Sequence, residues 1–204
     1  MSTVRGPGLP SGTTRLAAVI GDPVRHSLSP LIHNTGFRAL GLDWVFVALA
    51  VERGRGAAAL DAMRTLGIDG LSVTMPLKAE VMVGLDRVSS LAERLGAVNV
   101  IARVGRELVG DNTDGPGFVN ALRHDQGFEP EGKRCVVVGA GGAARAVMLA
   151  LAEAGAAEVT VVARRTDQAV AAVALAGDVG RVGVPADVAN ADLVVNATPV
   201  GMQA

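Results

Sequence analysis

The chain has 204 residues, enough for one large or two small domains. Half of its residues are hydrophobic but only 2% are aromatic and Tyr is absent, so Ala, Val and Leu must fill the core. The formal net charge is -1 and no Lys/Arg block stands out, which argues against nucleic acid or an anionic membrane surface as the main partner.

Residues 1–14 are rich in Gly, Pro, Ser and Thr and carry no apolar h-region, so they read as a frayed tail rather than a signal peptide. No uninterrupted apolar stretch approaches a membrane span, and a soluble cytoplasmic protein is expected. Residues 16–20 read as a strand, followed by a loop over 21–29. Pro30 suits a first helical turn, and a helix runs to about Leu40. A strand over 44–51, a helix over 56–66 closed by Gly67, and a short strand over 70–73 come next. Thr74 and Lys78 flank Pro76 in a stiffened turn just past that strand. Residues 90–95 read as a helix, 98–103 as an extended run containing Asn99, and 115–122 as the start of another helix. Apolar runs alternating with helical patterns predict an α/β fold with a parallel sheet.

A polar stretch over 123–133 marks the expected boundary between a first domain, 1–122, and a second, 123–204. The pattern then restarts with a strand over 134–138. Its single cysteine, Cys135, reads as a small core residue and fits a reducing compartment. Gly139-Ala140-Gly141-Gly142-Ala143-Ala144 follows that strand and opens an Ala-rich helix to Ala154. Gly139, Gly141 and Ala144 have the GxGxxG/A spacing, in which glycines let the backbone approach a pyrophosphate and the helix N–H groups face its charge. A strand over 158–163 ends at Arg164-Arg165-Thr166, where an NAD site usually carries Asp or Glu for the ribose hydroxyl. Two guanidinium groups and a hydroxyl favour NADP there, with Asp167 read as a helix-start residue. A helix over 167–175 and strands over 181–184 and 192–196 complete the chain. About one mononucleotide half is counted, so a second domain incomplete at its C-terminal end is expected.

Several polar clusters of the first half fall where strands should end. Ser27 and Ser29 point the same way in an extended loop and suit a carboxylate near a helix start; plain N-capping by Ser29 is the alternative. Asp111-Asn112-Thr113-Asp114 suits a polar ligand or, alternatively, an Asx-type turn and cap. A lysine, an aspartate, an asparagine and several hydroxyls beside a hydride carrier complement a polyhydroxylated acid. His26, His33 and His124 lack ligand-like spacing, so no metal is expected, and His33 reads as structural.

The chain resembles the shikimate dehydrogenase family through Gly21-Asp22-Pro23, His26-Ser27-Leu28-Ser29-Pro30, Val73-Thr74-Met75-Pro76-Leu77-Lys78, Gly96-Ala97-Val98-Asn99, Asp111-Asn112-Thr113-Asp114, the glycine loop and Asn196-Ala197-Thr198-Pro199-Val200-Gly201-Met202. The motifs follow that family's order and spacing. The resemblance implies an N-terminal α/β substrate domain, a Rossmann-like NADP domain and an active site between them, which interconverts 3-dehydroshikimate and shikimate. By motif position, Ser27 and Ser29 would hold the substrate carboxylate, and Thr74, Asn99 and Asp114 its ring hydroxyls. Lys78 and Asp114 would form the catalytic pair. The cofactor contacts would come from Gly139, Ala140, Gly141, Gly142, Ala143, Arg164, Arg165, Thr166 and Thr198. Ser72 stands where the family often has Asn, which alters one substrate contact. The family pattern continues past Met202, so an incomplete chain of low activity is the expectation. A quinate/shikimate or aminoshikimate dehydrogenase, or a non-catalytic ligand-binding fragment, is the alternative. The partner is a small molecule, and a monomer or homodimer is expected.

Overall fold

The computed structural model describes residues 9–201, so the motif's last residue, Met202, and most of the N-terminal tail lie outside the described residues. Two compact units are present. One is built from residues up to 93 together with 97–111, the other from 94–96 and from 112 onward.

The first unit opens with β1 (Arg15–Gly21), α1 (Ser29–Ala39), β2 (Trp44–Ala50), α2 (Gly56–Leu66) and β3 (Gly70–Val73). A 3-10 turn at Glu80–Gly84, β4 (Arg87–Val88), α3 (Ser90–Leu95), β5 (Val100–Val104) and β6 (Glu107–Asp111) follow. The sheet order is β2-β1-β3-β5-β6-β4. Strand β1 is buried on both faces, as an almost unbroken apolar run requires. Ala18 and Ile20 face Leu60 and Met63 of α2, whereas Ala17 and Val19 meet Phe46, Phe37 and Trp44 on the α1 side. Helix α2 stops at Gly67, whose φ of 68° takes the left-handed cap that a Cβ would strain.

Strand β2 lies at one end of this sheet, and α1 guards its open edge. The Asn34 amide donates to the Phe46 carbonyl (2.8 Å), and its oxygen accepts from the Phe46 N–H (2.9 Å). His33 stacks on Phe46 with ring centroids 4.2 Å apart, in keeping with its structural reading.

The expected parallel sheet is realised only in part. Strands β1, β2 and β3 are parallel, but β5 runs antiparallel to both β3 and β6. Val104 pairs with Glu107, so Gly105 and Arg106 form a two-residue hairpin turn with Gly105 at φ 65°. So short a connection permits only an antiparallel neighbour.

The second unit contains α4 (Asp114–Gln126), β7 (Arg134–Val138), α5 (Gly142–Glu153), β8 (Glu158–Val162), α6 (Thr166–Val173), β9 (Gly180–Val182) and β10 (Leu193–Asn196). Its four strands are parallel in the order β10-β7-β8-β9. Helix α5 buries Ala144, Ala146, Val147, Met148, Leu149, Ala150 and Leu151. The sheet beneath supplies Cys135, Val137, Val159 and Val161 to the same core. The expected boundary between 122 and 123 falls inside α4, and the compact unit takes that helix whole. Gly115 explains why: a Cβ there would lie 2.6 Å from the Ala146 carbonyl oxygen, so α4 sits directly on the α5 backbone. The polar residues 123–126 belong to an exposed helical end closed by Gly127 at φ 59°, not to a linker.

Candidate active site

The first unit gathers polar residues at one sheet edge. Because β3 is parallel to β1 and antiparallel to β5, the ends of β1 and β3 share that edge with the start of β5. The Thr74 N–H donates to the Ile20 carbonyl (2.9 Å), the Val73 N–H to the Asn99 carbonyl (2.7 Å), and the Val98 N–H to the Lys78 carbonyl (2.8 Å). These three bonds bring Thr74, Lys78 and Asn99 to the same edge. All three are half-buried. Leu77 and Val81 on either side of Lys78 are fully buried and anchor its segment. Gly21 lets β1 pass close to it: a Cβ there would meet the Thr74 side chain and come within 2.8 Å of the Met75 carbonyl oxygen.

The serine loop leaves β1 at this edge, where the Asp22 N–H donates to the Met75 carbonyl (3.0 Å). The Ser27 hydroxyl donates to that of Ser29 (3.1 Å) and accepts from the Ser29 N–H (3.2 Å). Ser29 is thus already inside α1 and does not cap it; Leu28 at the cap position makes no side-chain bond, and the Ser27 hydroxyl meets the first N–H of the helix. The bland reading of Ser29 falls away, and two adjacent hydroxyls stand beside the first turn. Ser72 lies within β3, paired to Val19 on one side and Val100 on the other, and is half-buried.

Asp114 belongs to the second unit and begins α4. Its N–H donates to the side-chain oxygen of Asn112 (3.0 Å), a residue only 1% exposed. The Asx turn expected as the alternative is therefore present, made by Asn112.

In the second unit, the glycine loop is built on β7. The Gly139 N–H donates to the Val162 carbonyl at the end of β8 (2.9 Å), and the Ala197 N–H past β10 donates to the Val138 carbonyl (2.9 Å). The glycine loop is thus flanked by the residues that follow β8 and β10. Gly139 has φ 118°, and a Cβ on it would lie 3.0 Å from the Ala197 carbonyl oxygen. Gly141 is extended and open, with nothing near the place a Cβ would take, and α5 starts without a side-chain cap. Ala144 is fully buried, which gives the close helix–strand packing the motif requires. A bare helix start, a bare glycine backbone and an open side fit a pyrophosphate. Ala140, Gly142 and Ala143 complete this loop and first turn. Arg164, Arg165 and Thr166 follow β8 and are exposed, and among the described residues neither guanidinium makes an ion pair. Thr198 sits on the β10 side. Its N–H (3.0 Å) and hydroxyl (2.7 Å) both donate to the Asn196 side-chain oxygen, and the Asn196 amide donates to the Val200 carbonyl (3.0 Å). Sequence reasoning passes over Asn196, although its spacing of two from Thr198 is the signal of an Asx turn.

No group of His, Cys, Asp or Glu among the described residues has the geometry of a metal site. Burial pushes the Cys135 thiol up to about 11, with Asp192 adding to the shift, so the cysteine is no nucleophile at neutral pH.

Comparison with known proteins gives consistent matches. A profile for the shikimate dehydrogenase substrate binding domain covers residues 19–101, and one for NAD(P)-binding covers 128–201. The shikimate dehydrogenase (NADP(+)) of Geobacter metallireducens is 45% identical over 203 residues, covering 94% of this chain and 71% of that protein. A crystallised shikimate dehydrogenase in complex with NADP+ superposes with a TM-score of 0.87 at 35% identity, covering 96% of this chain and 70% of the other. The Thermus thermophilus shikimate 5-dehydrogenase in complex with NADP(H) and shikimate gives 0.85 at 39% identity, with coverage of 92% and 70%.

Proposed function

The chain belongs to the shikimate dehydrogenase family, and from that premise we propose that it interconverts 3-dehydroshikimate and shikimate with NADP. The observation that carries the reading is the shared sheet edge, where three backbone bonds hold Thr74, Lys78 and Asn99. Ser27 and Ser29 offer adjacent hydroxyls for the substrate carboxylate. Thr74, Asn99 and Asp114 suit its ring hydroxyls, and Ser72, shorter than an amide side chain, alters one contact. Gly139 through Ala143 take the pyrophosphate, Arg164, Arg165 and Thr166 the 2′-phosphate, and Thr198 lies on the other flank of the loop.

When bound, the cofactor supplies or takes up the hydride at the carbon that changes between ketone and alcohol. Negative charge then grows on the attached oxygen during reduction, and a positioned ammonium lowers that barrier and gives up a proton. Lys78 has this role, and Asp114 orients Lys78 and the substrate hydroxyl. Among the described residues no helix is long and apolar enough to cross a membrane, and a cytoplasmic location suits a buried lone thiol and a soluble substrate.

Shikimate-dependent reduction of NADP should exceed quinate-dependent reduction of NAD. Lys78→Met should lower kcat about 10²–10⁴-fold, the range for a positioned acid–base group, with a smaller change in KM for shikimate. A near-wild-type rate in a folded Lys78→Met protein would remove the assignment.

A further inference from the structure

Glu80 lies two residues past Lys78, at the head of the 3-10 turn Glu80–Gly84. Its carboxylate reaches out of that turn to the one that opens α2. One oxygen accepts from the Gly56 N–H (2.5 Å) and the other from the Gly54 N–H (3.0 Å). Both glycines are shaped for this. Gly54 has φ 83°, which an L side chain rarely adopts, and a Cβ on Gly56 would lie 2.9 Å from the carboxylate. The joint also gives a negative charge to the start of a helix that has no side-chain cap of its own. These bonds, first that from Gly54 and then that from Gly56, hold the Glu80 carboxyl below its ordinary range, and Arg53 adds to the effect.

The turn also closes on itself, through the Arg55 N–H and the Glu52 carbonyl (3.2 Å). On one side it borders an open groove lined by Asp22, Val51, Glu52 and Arg55. The Lys78 segment, by contrast, is a run of turns: Leu77 N–H to Thr74 carbonyl (3.0 Å) and Val81 N–H to Leu77 carbonyl (3.0 Å). Such a run transmits a shift at residue 80 to residue 78.

We propose that Glu80 is a positioning residue, which fixes the direction of the Lys78 side chain by clamping its segment to the Gly54–Gly56 turn. The proposal rests on the reading of Lys78 as the group that acts on the substrate oxygen. Rate depends steeply on such placement, since a shift of about 1 Å costs up to 10²-fold. Gln at this position keeps the size and one acceptor but turns an amide NH₂ against the other N–H; Ala removes both acceptors.

The test compares Glu80→Gln, Glu80→Ala and Lys78→Met in the full chain, by kcat, KM for shikimate, pH–rate profile and melting temperature. We expect kcat to fall about threefold in Glu80→Gln and about tenfold in Glu80→Ala, short of the loss in Lys78→Met, with KM nearly unchanged. The pH–rate profile should also move along the pH axis. A loss of folded enzyme would scale the whole profile down without moving it, and that result overturns the proposal. So does wild-type behaviour of both Glu80 variants beside a slow Lys78→Met. A fast Lys78→Met overturns the reading of Lys78 itself. If Glu80→Ala does not fold, the isosteric Glu80→Gln decides alone.

Discussion

Asp69 shows what one residue can hold at the sheet edge opposite the polar cluster, where β1, β2 and β3 begin. Its Oδ1 accepts from Arg15 (2.9 Å) and from Arg103 (2.8 Å), and Arg103 also donates to the Gly67 carbonyl (2.9 Å). Arg15 in turn lies 4.1 Å over the Trp44 ring, so the strand starts are fastened together. The hydrogen bond from Arg15, then that from Arg103, hold the Asp69 carboxyl down at about 2 against the desolvation that its burial brings. Charged hydrogen bonds are worth about 1.5–3 kcal/mol, and the exposure of Arg15 reduces this, so Asp69→Asn should cost about 1–2 kcal/mol at pH 7. The folded pKa is depressed, so the contribution is fully present above the ordinary carboxylate pKa near 4 and is lost as pH falls toward 2. Urea denaturation should therefore separate wild type and Asp69→Asn at pH 7 and bring them together near pH 2. A constant gap across that range would show that packing, not charge, carries the effect. None of this network was legible in the sequence, because Arg15, Asp69 and Arg103 become neighbours only through the strand pairing.

At the scale of elements, local signals were read well and non-local ones were not. The strand, glycine loop and helix over 134–154 were legible because each carries its own period and its own glycine. Helix α4 was cut short because its polar end, 123–126, looks like a linker when its exposure is unknown. The extended run read over 98–103 was not joined to β6 as a hairpin, since Gly105-Arg106 is a weaker turn signal than Asn-Gly. Gly115 gives a direct test of how α4 is seated. A Cβ there would lie 2.6 Å from the Ala146 carbonyl oxygen and 2.9 Å from the Ala150 Cβ, and a backbone oxygen cannot move aside cheaply. Gly115→Ala should destabilise by about 1–3 kcal/mol through overpacking. Gly117, two residues on in the same helix, has nothing within reach of a Cβ, so Gly117→Ala should be neutral or stabilise by up to about 1 kcal/mol. Denaturation midpoints of opposite sign for the pair would confirm that α4 rests on α5 through residue 115. Equal effects would refute it. Asp114 leads this helix, so the same contact sets where that carboxylate is presented.

Across the whole molecule, it is the second unit that commits the chain to a cofactor. The parallel order β10-β7-β8 puts the residues after β8 and after β10 on either side of the glycine loop. A dinucleotide lying with its pyrophosphate on that loop turns its adenosine ribose toward the end of the second strand. There the chain offers Arg164, Arg165 and Thr166, all exposed, with the first carboxylate, Asp167, already in α6. Exposed arginines serve many proteins as ordinary surface charge, so their position after β8 is the informative fact, and it was legible from the sequence because strand, turn and helix are consecutive. Two guanidinium groups can grip a 2′-phosphate through several charged hydrogen bonds, each worth about 1.5–3 kcal/mol, whereas a ribose hydroxyl gains little from them. Replacing both arginines with Ala should therefore weaken NADP by at least tenfold and leave NAD nearly unchanged, in binding titrations of the two cofactors. Stability should hold, because neither side chain is buried. An equal loss for both cofactors would mean that these arginines act on the shared pyrophosphate or on the fold, and that the preference for NADP is set elsewhere in the chain.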